Sequence, residues 1–122
     1  MPKFVEMDRT VTLADQLKDE GGAVVLVNTF VVAPEDADRL LAAWAADAAI
    51  MKKQPGFIST QLHRGVAGSG AFLNYAVWES VAHFRAAFMN PEFRARLGEY
   101  PESATASPHL FRPVAVPGVC VA

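Results

Sequence analysis

Apolar positions along the chain follow two different periods, and the changes of period mark the elements. From Ala23 to Val32 the run Ala-Val-Val-Leu-Val-Asn-Thr-Phe-Val-Val is continuous and rich in β-branched residues, as expected of a central strand covered on both faces. After Ala33-Pro34 the spacing widens. Ala37, Leu40, Leu41, Trp44, Ala48 and Met51 recur at steps of three and four, which predicts a helix with one apolar stripe and with Asp38, Arg39 and Asp47 off it. Pro34 suits the first helical position, Glu35, Asp36 and Asp38 suit the positive end of the helix dipole, and Lys52 and Lys53 suit the negative end. Gln54-Pro55-Gly56 stops the helix. A strand from Phe57 to about Arg64, a glycine-rich turn from Gly65 to Gly70 and a second strand from Ala71 to Glu79 follow. Ser80 is then the expected N-cap of a helix burying Val81, Phe84 and Phe88, broken at Asn90-Pro91. Glu92 to Gly98 reads as a short helix burying Phe93 and Leu97, Pro101 to Pro108 as a polar loop, and His109 to Val116 as the last strand, with Pro113 at an edge or bulge.

The resulting order, β-α-β-β-α-β, predicts an α+β, ferredoxin-like fold in which helices cover one face of a four-stranded antiparallel sheet. Residues 1–22 read as an N-terminal arm in which Val11 to Leu17 forms one or two helical turns. Residues 23–116 form the domain and 117–122 a tail. Leu73, Tyr75 and Val77 project from the sheet face without helices. An apolar patch of that kind predicts a second copy of the chain closing sheet against sheet, a homodimer.

With 122 residues, of which 52% are apolar, the chain has material for one domain with a real core. The net charge of −2 and the scattered basic residues give no reason to expect nucleic acid or an anionic membrane surface as partner. No apolar run reaches the roughly 18 residues of a membrane span. The N-terminal residues lack the basic start and apolar middle of a signal peptide, and Cys120 has no internal disulfide partner, so a reducing cytoplasm is the expected compartment.

The candidate chemistry gathers on one strand. Side chains alternate across a strand, so Phe72, Asn74, Ala76 and Trp78 share a face. That face offers an amide and an indole N–H with only a methyl between them, leaving room for a flat molecule to lie on Ala76. A buried amide must find hydrogen-bond partners or cost about 1–3 kcal/mol, so Asn74 calls for a reason. Other chemistries lack their residues. The glycines at 65, 68 and 70 join two strands instead of opening a helix, which excludes a dinucleotide or phosphate loop. His63, His83 and His109 have no acidic partner at metal-ligand spacing, and no nucleophile elbow is present. Neither a metal nor an organic cofactor is expected.

Pro55-Gly56-Phe57, then Asn74-Tyr75-Ala76-x-Trp78-Glu79-Ser80, then a phenylalanine-rich helix ending in Asn90-Pro91, resemble the antibiotic biosynthesis monooxygenase family of dimeric α+β barrels over roughly Ala23 to Val116. The Asn-Tyr-Ala-x-Trp-Glu-Ser stretch is closer still to the cofactor-free anthrone monooxygenases of the actinorhodin type. The resemblance implies that Asn74 and Trp78 are the catalytic pair, binding the substrate's oxygens while an aromatic carbon is oxidised by O2 without metal or flavin. The chemistry is coherent. With no cofactor, the substrate itself must give electrons to O2, so it must be an electron-rich phenolic or quinonoid polycycle that deprotonates easily, and two hydrogen-bond donors would stabilise the oxyanion that forms.

Leu62, Phe72, Ala76, Phe84, Phe88 and Arg96, with Arg94 the neighbouring alternative to Arg96, are the expected substrate-binding residues. Relatives carry tyrosines where Leu62 and Phe84 stand, so any proton relay through those hydroxyls is missing here. The haem-degrading branch of the superfamily places its histidine and tryptophan near Leu97 and Ala87 and shares only Asn28, which argues against haem breakdown. Set against the oxygenase are a small-molecule binder on the same scaffold, with no catalysis or a different one, and a plain dimerisation module.

Overall fold

The computed structural model describes residues 1–122. The chain runs β1 (Lys3–Phe4), α1 (Leu13–Gln16), β2 (Val24–Val31), α2 (Ala37–Met51), β3 (Phe57–Arg64), β4 (Ala71–Trp78), α3 (Val81–Phe88), α4 (Pro91–Arg96) and β5 (Thr105–Phe111). From β2 to β5 the expected α+β order holds. The sheet order is β1-β5-β2-β4-β3, so the continuous apolar run of β2 occupies the centre, antiparallel to both neighbours.

The expected four-stranded antiparallel sheet is corrected to a five-stranded mixed one. Lys3 and Val5 donate backbone N–H groups to the carbonyls of Ala104 and Ala106, both at 2.9 Å, and so add β1 parallel to the outer edge of β5. No side-chain pattern signals a strand of two residues; long-range backbone pairing alone makes it. α1 begins with a reciprocal cap in which Thr12 accepts from Asp15 N and the Asp15 carboxylate accepts from Thr12 N. Beyond β1, the edge of β5 is met by Gln16, whose Nε2 donates to Leu110 O and whose Oε1 accepts from Leu110 N, both at 2.9 Å. One side-chain amide thus stands in for a missing strand. Gln16→Ala strands both backbone groups and is expected to cost about 1–3 kcal/mol, read as a lower urea midpoint at unchanged slope.

The last strand is the second correction, since it begins at Thr105 and not at His109. Backbone groups of Ala104 and Ala106 point to the β1 side, and by alternation so do those of Pro108. The N–H that Pro108 lacks is therefore absent from the outer edge and not from the ladder with β2, which lets proline sit inside a strand. Pro113 lies beyond it.

Both core clusters lie between the sheet and the long helices: Leu40, Ala43 and Ile50 of α2 pack with Phe30, Phe72 and Ala106, and Val81, Phe84 and Ala87 of α3 pack with Leu26, Ala76 and Trp78. Ser80 caps α3 by accepting from His83 N, and Asn90 caps α4 by accepting from Glu92 N with Pro91 in the first turn. Gly70 is required by close approach, because a Cβ there would sit 2.3 Å from the carbonyl oxygen of Val32. On the opposite sheet face Tyr75 and Val31 remain about half exposed, and the apolar pairs Val27 with Tyr75 and Val25 with Val77 stand side by side.

Candidate functional site

The alternation of β4 has the sense expected of it: Phe72, Asn74, Ala76 and Trp78 are buried beneath the helices, and Tyr75 faces away. Over Asn74, Ala76 and Trp78 lies a cavity between the sheet and α2, α3 and α4, walled chiefly by apolar side chains. It offers about 70 Å³ to the centre of a water molecule, within about 690 Å³ of space not occupied by atoms once its mouth is included. A dry cavity of about 150 Å³ takes benzene. The closed hollow is thus smaller than a single aromatic ring needs, and fused rings enter only if a wall moves.

Among the polar side chains that line this apolar space, four keep a polar atom without a well-formed hydrogen bond. Asn74 is fixed by Thr60 on β3, whose hydroxyl donates to Asn74 Oδ1 at 2.5 Å. Its carbonyl is thereby used, and the Nδ2 donor that remains belongs to a residue lining the cavity. Trp78 Nε1 is buried without a partner. Edge-on contacts with Phe57 at 5.4 Å and Phe84 at 5.8 Å hold the indole in place, so the N–H cannot turn away to find one. Asn28, on β2 directly opposite Asn74, has a buried and unpartnered Oδ1.

The fourth is Asp47, which corrects the placement of its charge on the solvent side of α2. It is 5% exposed and lines the cavity; neither carboxylate oxygen has a well-formed hydrogen bond, and the Tyr100 hydroxyl is the one side-chain donor that bears on it. Burial pushes its pKa up to about 6, with the nearby charge of Glu99 acting in the same direction, while the Tyr100 hydroxyl and the Arg96 guanidinium pull it down. Burial, reinforced by the Asp47 charge, likewise holds the Tyr100 phenol protonated well past its usual range. The pattern that places Asp47 is present in the sequence: Leu40, Trp44, Asp47 and Met51 step by four, three and four, so the carboxylate lies within the apolar stripe.

Of the expected site residues, Asn74, Trp78, Ala76, Phe84 and Phe88 are brought together on the cavity wall. Phe88 stacks on Phe84 at 5.4 Å between centroids, and the Arg94 guanidinium lies over the Phe88 ring, 4.5 Å from its centroid. Three others lie elsewhere. Phe72 is buried in the core beneath the guanidinium of Arg64, and Leu62, paired with Asn74 in register, packs against that core without reaching the cavity. Arg96 is exposed and pairs with Glu99 at 3.0 Å. Thr60, Asn28, Asp47 and Tyr100 join the wall without having been singled out for it, as do Pro2 and Phe4 of the N-terminal arm. Nothing in the arm's sequence marks those two, which arrive by way of β1.

No three of the His, Cys, Asp and Glu side chains come together in a group that could hold a metal ion. No helix is long and apolar enough to cross a membrane. Once a wall side chain moves aside, the arrangement can take a flat ring among aromatic side chains, donate hydrogen bonds to an oxygen on it from Trp78 and Asn74, and receive a proton at Asp47.

The sequence model described as antibiotic biosynthesis monooxygenase matches residues 23–97. No curated protein sequence matches the chain. Among solved structures, SnoaB, a cofactor-independent oxygenase from Streptomyces nogalater, is similar with a TM-score of 0.69 and 27% identity, over 80% of this chain and 99% of its own. A candidate monooxygenase from Shewanella loihica PV-4 is similar with a TM-score of 0.66 and 31% identity, over 80% of this chain and 99% of its own. A candidate antibiotic biosynthesis monooxygenase from Caulobacter crescentus CB15, at 20% identity and a TM-score of 0.68 over 77% of this chain and 92% of its own, shares the fold.

Proposed function

Since the chain belongs to the antibiotic biosynthesis monooxygenase family, we propose that it is a cofactor-independent monooxygenase that oxidises an electron-rich phenolic or quinonoid polycycle with O2. The observation that carries this reading is the buried, unpartnered Trp78 Nε1 beside Asn74, whose Oδ1 is taken by Thr60 and whose Nδ2 makes no side-chain hydrogen bond, on the wall of one aromatic-lined cavity. Leaving the buried indole N–H unmet costs about 1–3 kcal/mol, a cost removed when a ligand oxygen accepts from it. An oxygen that gains negative charge during the reaction accepts more strongly than it does in the resting substrate, so both donors favour the transition state. Phe84, Phe88 and Ala76 supply flat apolar contact for the rings. Phe88, at the junction of α3 and α4, and Phe4, on the two-residue β1, are the wall groups whose displacement admits a polycycle.

The test is O2 consumption with a hydroxylated anthrone in chelator-treated buffer, with labelled oxygen followed into the product. Turnover with incorporation of label is the expected result. Ligand binding that quenches tryptophan fluorescence without any oxygen uptake would leave a binder in place of an enzyme.

We further propose that two copies of the domain, residues 23–116, close sheet against sheet through the face carrying Tyr75 and Val77, as in a dimeric α+β barrel. Tyr75→Lys is expected to convert a dimer to a monomer in sedimentation equilibrium. A wild-type chain that sediments as a monomer at all concentrations would sink that arrangement.

A further inference from the structure

We propose that Asp47 is the general base of this site, taking the proton whose loss makes the substrate oxidisable. The inference rests on the oxygenase reading and adds to it the group that starts the reaction. Leu62 and Phe84 of this chain carry no hydroxyl. Its own protic groups on the cavity wall are Thr60, Tyr100 and Asp47. Thr60 is committed to Asn74. Tyr100 stays protonated throughout the working range and cannot accept a proton at neutral pH. Asp47 is the only carboxylate of the cavity wall, and neither of its oxygens has a well-formed hydrogen bond although it is almost wholly buried.

A carboxylate that merely caps a helix or meets water does not look like this. Asp47 sits in the third turn of α2, with Trp44 and Met51 of the same face also on the cavity wall. The charged and titratable groups packed around it come from α4 and the turn after it: Arg96, Glu99 and Tyr100. The strands beneath contribute the neutral Asn28, Asn74 and Trp78. Raised toward neutrality yet still ionised at pH 7, the carboxylate is poised for proton transfer in both directions.

The step balances with O2 as the only co-reactant. A C–H bond of a ring-flanked methylene breaks, its proton goes to a carboxylate oxygen of Asp47, and its electron pair stays on the ring system, where Trp78 and Asn74 meet the resulting oxyanion. That pair reduces O2 and a C–O bond forms. The peroxide anion recovers the proton from Asp47; the carboxylate then takes the second methylene proton as the O–O bond breaks, and the departing hydroxide takes that proton back, yielding a carbonyl and water with Asp47 ionised again.

Two readouts separate this inference from the reading beneath it. The first is anaerobic exchange of the methylene protons of a dihydroxyanthrone into D2O, followed by NMR, which reports proton transfer without oxygen chemistry. The second is the pH profile of O2 uptake. Wild-type protein is expected to accelerate exchange and to show an acid limb near pH 6. Asp47→Asn is expected to lose both the limb and about 10²-fold or more of each rate, in line with general-base contributions. Tyr100→Phe removes a hydroxyl that holds the Asp47 pKa down, and is expected to move the acid limb to higher pH. A circular-dichroism melt shows that each variant is folded. Exchange that depends on Asp47 supports the inference even if no O2 is consumed, in which case only the oxygenase reading falls. Exchange and O2 uptake unchanged in Asp47→Asn overturn the inference and leave the oxygenase reading standing. A wild-type protein that accelerates neither process sinks both.

Discussion

Asn74→Ala is expected to lower kcat for O2-dependent oxidation by about 10²- to 10³-fold, the usual cost of deleting one donor aimed at a developing oxyanion. The size of this effect depends on how the amide is held. Asn74 Oδ1 accepts from Thr60 at 2.5 Å, which fixes the plane of the amide and leaves Nδ2 for the cavity. Alanine removes the donor and leaves the Thr60 hydroxyl without its acceptor, so some stability is lost as well, on the order of 1 kcal/mol. A fall in kcat far beyond what the melting temperature explains is therefore the informative result. Thr60→Val provides the control, since it keeps the donor but frees the amide to turn. It is expected to lose roughly tenfold, because a donor that must be reoriented during the reaction is worth less than one already in place. Equal activity in wild type and Asn74→Ala would place the chemistry elsewhere in the molecule.

The parts of the site legible from sequence are those governed by local period. Alternation along β4 separates Asn74 and Trp78 from Tyr75, and three-and-four spacing along α2 and α3 brings Trp44, Phe84 and Phe88 over the same sheet face. What escaped local pattern depends on contacts between distant segments. β1 exists only because Ala104 and Ala106 present carbonyls to Lys3 and Val5. The start of β5 reads as a loop because its residues are small and polar, yet Ala104 and Ala106 are small for a reason of packing. They share a core with Phe30 and Tyr100, whose rings stack at 5.7 Å and leave no room for larger side chains. Asp47 illustrates the opposite case. Its charge sets it off the apolar stripe in a reading by residue type, although its spacing from Trp44 and Met51 places it within the stripe. A charged residue at a core-facing position goes against the hydrophobic pattern, and such conflicts concentrate at functional sites.

That conflict has a thermodynamic signature, and Asp47→Asn is expected to reveal it as a gain in stability that grows with pH. The native pKa of Asp47 lies at about 6 against an ordinary 3.8, raised chiefly by burial. Well below the unfolded pKa of 3.8 the group is protonated in both folded and unfolded chains, and burial costs it nothing in charge. As pH rises from there through the folded pKa of about 6, the folded chain binds the proton more tightly than the unfolded one, so this group's contribution to stability is lost. Well above the folded pKa the loss is complete and amounts to about 3 kcal/mol, roughly two pKa units at about 1.4 kcal/mol each. Asparagine cannot ionise and escapes this loss. Its own buried amide carries a cost, but one independent of pH, so the difference between variant and wild type is the quantity to follow. Urea unfolding at pH 4 and pH 8 is expected to show that difference moving by roughly 2 kcal/mol in favour of the variant at the higher pH. A pH-independent difference would mean that Asp47 reaches water or a cationic partner in the folded protein. It would then bear no strain for a substrate proton to relieve. A variant that is more stable at pH 8 and less active there is what a carboxylate kept for chemistry predicts, since stability alone would favour its replacement.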